Sequence, residues 1–324
     1  MNGLKKILGR SAAALMMTAM MAPHSNAEAI TLGYVVASMK IPYNVATRNG
    51  FEAAAREAGV TTIVLDPDGS VEKQAAAVDE LLAKGVDGIG FLPMDSMMGQ
   101  AWSEKSAAMN IPNVSIAVQI GDSKTRDLRD VYPTLSALVT TDDVATGFRA
   151  GELSVRLLPP GRVAKIAIVE GAAGYSAVTQ RTKGFIQALE KAGANYEIVE
   201  ALPSDWTPES GMKLCKDMIA KTPDLDLIFS QADDMALGCA RSIQASGSKV
   251  KLMSTGGGST AGNDAVAKGE FDGSVCTRPA LLGRLMFKVL FEGATNPKAQ
   301  KAQFITYDSV PITKDTLQNC PPEW

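Results

Sequence analysis

The sequence predicts an α/β protein made of two similar domains, each a parallel sheet covered by helices. Three observations carry this. Short β-rich runs alternate with helical patterns over nearly the whole chain, the rhythm that builds parallel sheets flanked by helices. Runs such as Ile63-Val64-Leu65 and Ile166 to Val169 are almost wholly apolar, as strands buried on both faces are. The alternation also comes in two runs, with a longer charged stretch, Gly121 to Pro133, late in the first.

Ile30 to Val36 reads as the first strand. A helix over Tyr43 to Ala58 follows, with Phe51, Ala54, Ala55 and Ala58 on one face and Gly59 as its stop. Thr61 to Asp66 is a strand. Val71 to Lys84 is a helix that turns Val78, Leu81 and Leu82 inward and ends at Gly85. Gly88 to Leu92, Asn113 to Ala117 and Ala137 to Thr141 read as strands, with a helix over Met97 to Met109. The second run has helices over Asp143 to Leu158, Ser176 to Lys191, Pro208 to Lys221 and Asp233 to Ala245. Its strands are Val163 to Val169, Tyr196 to Ala201, Leu225 to Ser230, Lys249 to Ser254 and Gly273 to Thr277, with a short helix before the last. Pro279, suited to a first helical turn, opens a final helix to Glu292.

Residues 1–27 stand apart. Lys5, Lys6 and Arg10 precede the apolar Ser11 to Met21, then come Pro23 and Ser25-Asn26-Ala27, the order of a secretory signal peptide cleaved after Ala27. The apolar run is too short to span a bilayer, and no cysteine lies near the cleavage point to carry a lipid. The whole chain has 32 basic and 35 acidic residues, and loss of the three basic residues in 1–27 leaves 29 against 35. A mildly acidic chain argues against a nucleic-acid partner. The single histidine, His24, falls in the signal, so the Ser-His-Asp triad, the Cys-His pair and histidine metal sites are unavailable. No early strand is followed by a dinucleotide-binding glycine fingerprint, and Gly256-Gly257-Gly258-Ser259 lacks the lysine of a phosphate loop. No enzyme, cofactor or metal is therefore expected. Cys215, Cys239, Cys276 and Cys320 form no CxxC pair. Export permits one or two disulfides; the favoured reading makes Cys215 and Cys239 small apolar helix residues.

In parallel α/β sheets, ligands bind beyond the carboxyl ends of the strands. The segments there include Met39 to Asn44, Pro93 to Ser96, Val118 to Asp122, Gly171 to Tyr175, Ser204 to Trp206, Gln231 to Asp234 and Gly256 to Ser259. If the domains stand edge to edge, these loops face one another across a binding cleft.

Ile41-Pro42-Tyr43-Asn44, Gln180-Arg181 with Gly184-Phe185, Gln231-Ala232-Asp233-Asp234-Met235-Ala236-Leu237-Gly238 and Arg278-Pro279 occur in this order behind the signal. In this the chain resembles the periplasmic sugar-binding proteins of the ribose-binding type, over nearly all its length after the signal. The resemblance implies two Rossmann-like lobes joined by a three-crossing hinge, the type I periplasmic binding protein fold. It implies a first lobe of residues 28–141 plus 278–306 and a second of 142–277 plus 307–324. It further implies a periplasmic monomer that closes around one small polar ligand and then docks on a membrane ABC permease.

Carried over position by position, Tyr43 and Trp206 match aromatic positions that stack on a sugar ring, and Asn44 stands where a second aromatic is common. Arg181 matches an arginine that reaches ligand oxygens, a role its fork of donors suits. Thr277 matches a position where a longer amide contacts ligand; Gln119 and Thr141 or Asp142 add polar groups, and Arg278 adds a cation near the cleft. Asp233 is read equally as a helix cap and as a ligand contact. Leu92, Val118, Ala232 and Gly256 take four places where the family sets acids or amides. The expected ligand is therefore a non-standard one: a polyol, sugar acid, lactone or other small oxygenated molecule. Two other readings remain. A transcription regulator shares this fold but would carry a basic helix-turn-helix in place of the signal; a sensor for a signalling molecule or amino acid would feed a membrane receptor.

Overall fold

The computed structural model describes residues 29–324, so the export signal expected over 1–27 lies outside the described residues. The first sheet is wholly parallel and six-stranded. It is built from β1 (Thr31–Val35), β2 (Thr61–Leu65), β3 (Gly88–Phe91), β4 (Asn113–Ile116), β5 (Ala137–Val139) and β11 (Gln303–Ile305), in the order β11-β5-β4-β3-β1-β2. Helices α1 (Pro42–Ala58) and α9 (Pro279–Thr295) cover one face through Phe51, Leu282, Met286 and Leu290. On the other face α2 (Val71–Ala83) and α3 (Ser96–Ala108) bury Val78, Leu81 and Trp102.

The second sheet is parallel and four-stranded, β7-β6-β8-β9, from β6 (Ala164–Glu170), β7 (Tyr196–Pro203), β8 (Leu227–Ser230) and β9 (Lys251–Ser254). Helices α4 (Asp143–Val155) and α5 (Ser176–Lys191) bring Ala150, Phe185 and Leu189 to one face. Helices α6 (Pro208–Lys221), α7 (Asp233–Ser246) and α8 (Thr260–Lys268) bring Met218, Met235 and Val266 to the other. A two-stranded antiparallel ribbon, β10 (Ser274–Val275) with β12 (Pro311–Ile312), flanks β9 through a bridge from Met253 to Gly273. The predicted two-lobed α/β class is the observed one. The chain passes between the lobes three times: after Val139, after Val275 and after Ile305.

Helices α4 and α5 cross at backbone contact distance. A Cβ on Gly147 would lie 2.1 Å from the Arg181 carbonyl oxygen, and one on Gly184 would lie 1.9 Å from that of Val144. Glycine at both positions is what lets the two backbones touch, and this crossing later fixes the site.

The structure departs from the sequence reading in two respects. No strand was expected beyond Glu292, yet β11 and β12 form there; each has only two or three residues, too few to show a period. The favoured view of Cys215 and Cys239 as apolar helix residues is also overturned: Cys215 is bonded to Cys239 and Cys276 to Cys320. Facing positions on α6 and α7 bring the first pair to a Cα separation of 5.1 Å, and the second pair stands at 5.9 Å.

The disulfides span 24 and 44 residues of sequence, so each stabilises the fold by about 3–4 kcal/mol through the entropy it removes from the unfolded chain, the longer loop by about 0.5 kcal/mol more. Cys276→Ser/Cys320→Ser should accordingly lower the urea midpoint slightly more than Cys215→Ser/Cys239→Ser, each compared with the oxidised parent.

Candidate functional site

Beyond the carboxyl ends of the strands, between the two sheets, lies a cavity of about 90 Å³. One buried water occupies about 10–15 Å³ on that scale, so the space suits a small molecule. Ile41, Tyr43, Asn44, Leu92, Ala117 and Val118 line it from the first lobe. Thr141, at the first crossing, lies on the wall too, as do Tyr175, Arg181, Trp206, Asp234 and Gly256 of the second lobe.

Arg181 is buried on α5. Its Nε donates to Asp143 Oδ1 at 2.7 Å, and one terminal nitrogen donates to the Gln231 carbonyl oxygen. Asp143 opens α4 and is almost fully buried, so the close helix crossing is what sets acid beside base. Burial pushes the Asp143 carboxyl up, and the guanidinium pulls it partly back. Gln231 braces the arginine from beneath. Its side chain accepts from the Gly171 N–H at 3.0 Å and donates to the Val178 carbonyl and the Thr182 hydroxyl.

Trp206 has φ of +68°, a conformation that is an outlier for a bulky side chain. Its N–H donates to Ser204 Oγ at 3.3 Å, and Thr207 beside it caps α6. The turn directs the indole over Gly171, where a Cβ would lie 1.8 Å from the ring. The ring meets Tyr175 edge-on at 5.7 Å, and the Arg181 guanidinium carbon stands 6.0 Å from its centre. Backbone strain of this kind is held where a side chain's position matters. Across the cavity, Tyr43 meets Trp324 edge-on at 6.0 Å. Burial raises the hydroxyl pKa of Tyr43, and pushes that of Tyr175 up to about 12, so both stay neutral donors.

Of the residues expected to bind ligand, Tyr43, Asn44, Thr141, Arg181 and Trp206 stand on this wall. The other four stand off it, each engaged elsewhere. The Gln119 N–H donates to Ser176 Oγ at 3.0 Å and its Oε1 accepts from Gln180 Nε2 at 2.6 Å, which bridges the lobes beside the cavity. Thr277 donates to the Gly257 carbonyl at 2.9 Å. Arg278 is exposed and paired with Glu323 at 3.0 Å. Asp233 does not cap α7: the cap is Ala232, and Asp233 is the first helical residue, buried, accepting from Ser274 Oγ at 2.7 Å. Asp142, the alternative to Thr141, caps α4 and pairs with Arg129.

Leu92, Val118, Ala232 and Gly256 all line the cavity. Two carboxylates that the sequence reading did not foresee line it as well, Asp143 and Asp234. Tyr175 and Asp234 sit in segments already placed at the cleft, Asp234 in the first turn of α7, whereas Trp324 gave no sequence signal. Among the described residues no three histidine, cysteine or acidic side chains cluster as metal ligands, and no helix is long and apolar enough to cross a membrane.

The family model for the periplasmic binding protein domain matches residues 32–298. The chain belongs to that family. The ribose import binding protein of Bacillus subtilis is 26% identical over 279 residues, 85% of each chain. The D-allose-binding periplasmic protein of Escherichia coli is 25% identical over 294 residues, 86% of this chain and 91% of that one. Among solved structures, a Mycobacterium smegmatis protein in complex with β-D-fucofuranose superposes with a TM-score of 0.80 at 25% identity, covering 90% of this chain and 93% of that one. As a periplasmic binding protein the chain is a ligand binder, not an enzyme.

Two outcomes follow from the buried charges. Arg181→Ala leaves Asp143 buried without its counter-charge and should cost about 3–5 kcal/mol in urea unfolding, with part of the loss recovered in Arg181→Ala/Asp143→Ala. Burial raises the Asp233 carboxyl from 3.8 to about 7. The folded state then holds a proton that the unfolded chain has lost, so this stabilisation is complete below about pH 4 and disappears as pH rises to about 7. Asp233→Asn should remove that slope, and urea midpoints of the two proteins should move together on the acid side and apart towards neutrality.

Proposed function

We propose that this chain is the exported solute-binding component of an ABC importer and captures a small, neutral solute of the sugar or polyol class, its hydroxyls turned away from the apolar places of the wall, by closure of two lobes. The observation that carries this reading is the cavity itself: its wall is contributed by both lobes at the carboxyl ends of their strands. A solute held there touches both halves and so favours the closed state through contacts absent from the open one. Relatives named for ribose, allose and xylitol support the solute class.

The wall narrows the chemistry. Four places carry only Leu92, Val118, Ala232 and Gly256, which neither give nor take a hydrogen bond through their side chains. A solute with hydroxyls facing all four would bury unpaired groups, at about 1–3 kcal/mol each. The charged side chains on the wall are Asp143, Arg181 and Asp234, and Arg181 is already neutralised by Asp143. The remaining negative charge disfavours a sugar acid and leaves the neutral polyol or lactone. Tyr43, Asn44, Thr141, Arg181 and Trp206 are the proposed contacts. We assign 28–141 plus 278–306 to the first lobe and 142–277 plus 307–324 to the second, after removal of residues 1–27 in export. The protein works as a monomer with a membrane permease as its partner and without nucleic acid.

Mass spectrometry of small molecules released from the purified protein, followed by a thermal-shift panel, tests this. Xylitol, myo-inositol, D-allose and small sugar lactones should contain at least one stabilising solute, and D-gluconate should give no shift. A shift with gluconate alone would reverse the charge assignment, and detectable turnover of any panel member would falsify the binding role.

A further inference from the structure

We propose that residues 320–324 form a strap across one side of the cavity, in which Trp324 is a specificity-determining wall residue and Glu323 ties one lobe to the other. The inference rests on the cavity being a solute site. The strap is fastened to the second lobe by several bonds. Cys320 is joined to Cys276, and its carbonyl accepts from Asn263 Nδ2 at 2.8 Å. The Glu323 N–H donates to the Gly258 carbonyl at 3.1 Å, and the Trp324 carbonyl accepts from the N–H and hydroxyl of Thr260 at 2.8 and 2.9 Å. Gly258, at φ +99°, lets the strap lie flush: a Cβ there would stand 3.0 Å from Cys320 Sγ.

The same five residues then reach the first lobe. Glu323 accepts from Arg278 Nε at 3.0 Å and from the Ala280 N–H at 2.8 Å, at the start of α9, which packs on α1 and the first sheet. A mostly buried carboxylate at a helix N-terminus is held by both the orphan N–H and the dipole. Trp324 continues onto the cavity wall against Tyr43. Its indole N–H is left buried without a partner. The ring gives the wall apolar surface at this place. Arg278, expected as a ligand contact, serves in this arrangement as one end of the tie.

The test uses the oxidised, dialysed protein and four variants: Trp324→Ala, Trp324→Phe, Glu323→Gln and Cys276→Ser/Cys320→Ser, each checked for folding by near-UV circular dichroism. Small-angle scattering without added solute reads lobe separation. Calorimetric titration with xylitol, myo-inositol, D-allose and D-ribose reads binding. Trp324→Ala should weaken the probe that the parent binds best by about tenfold or more, and Trp324→Phe should recover most of that affinity. Glu323→Gln and the cysteine double variant should enlarge the radius of gyration. Parental affinity in Trp324→Ala together with parental scattering in Glu323→Gln overturns the strap and leaves the solute-binding reading intact. If the parent binds none of the four probes and releases no bound solute, the solute reading fails instead, and unchanged or enlarged scattering decides whether the lobe tie stands.

Discussion

A guanidinium taken out of water must be met by an acid and by fixed acceptors, and much of this molecule's site is arranged around that demand at Arg181. Asp143 neutralises it, the Gln231 carbonyl takes a second N–H, and the Gln231 side chain is fastened in turn to Gly171, Val178 and Thr182. Acid and base lie on different helices, so the pair exists only because α4 and α5 cross with bare glycine backbones in contact. Sequence, packing and electrostatics thus meet at one point. A Cβ at Gly147 or Gly184 would push the helices apart and strand a charge in the interior.

The remainder of the wall reads as a consequence of that neutrality. With Arg181 spoken for, the cavity offers aromatic rings and aliphatic surface, with few polar groups at its edges. Rings bury large areas and pack on the C–H faces of a solute. The lobes also touch directly through Gln119, Ser176 and Gln180, so closure rests on protein–protein bonds as well as on the solute.

How much was legible beforehand depended on the range of the interaction. Helix α6 carries its own signals, Thr207 and Pro208 at its start and Pro223 beyond its end, and its bounds and those of α5 agree with the sequence reading. Tyr43 and Trp206 lie in segments whose position at the strand ends follows from the alternation of elements alone, whereas Arg181, within α5, is reached only through the resemblance carried by Gln180-Arg181 and Gly184-Phe185. Thr277 and Arg278 are set near the cleft by the resemblance, but their partners, Gly257 and Glu323, are chosen by long-range packing that no local pattern announces. Asp143 is by local pattern only a first-turn acid of α4, and its role depends on a helix more than thirty residues away. Trp324 reaches the wall through a disulfide whose pairing composition does not reveal, and the short strands β11 and β12 are too brief to show a period.

The indole of Trp206 fills the volume that any side chain at position 171 would need. Divergence of this pocket is therefore ordered: a lineage acquiring a roomier or more polar chamber must first shrink the tryptophan, and only afterwards can position 171 gain a side chain. Descendants holding Trp206 should all keep glycine there, a historical contingency written into one crowded corner of the molecule.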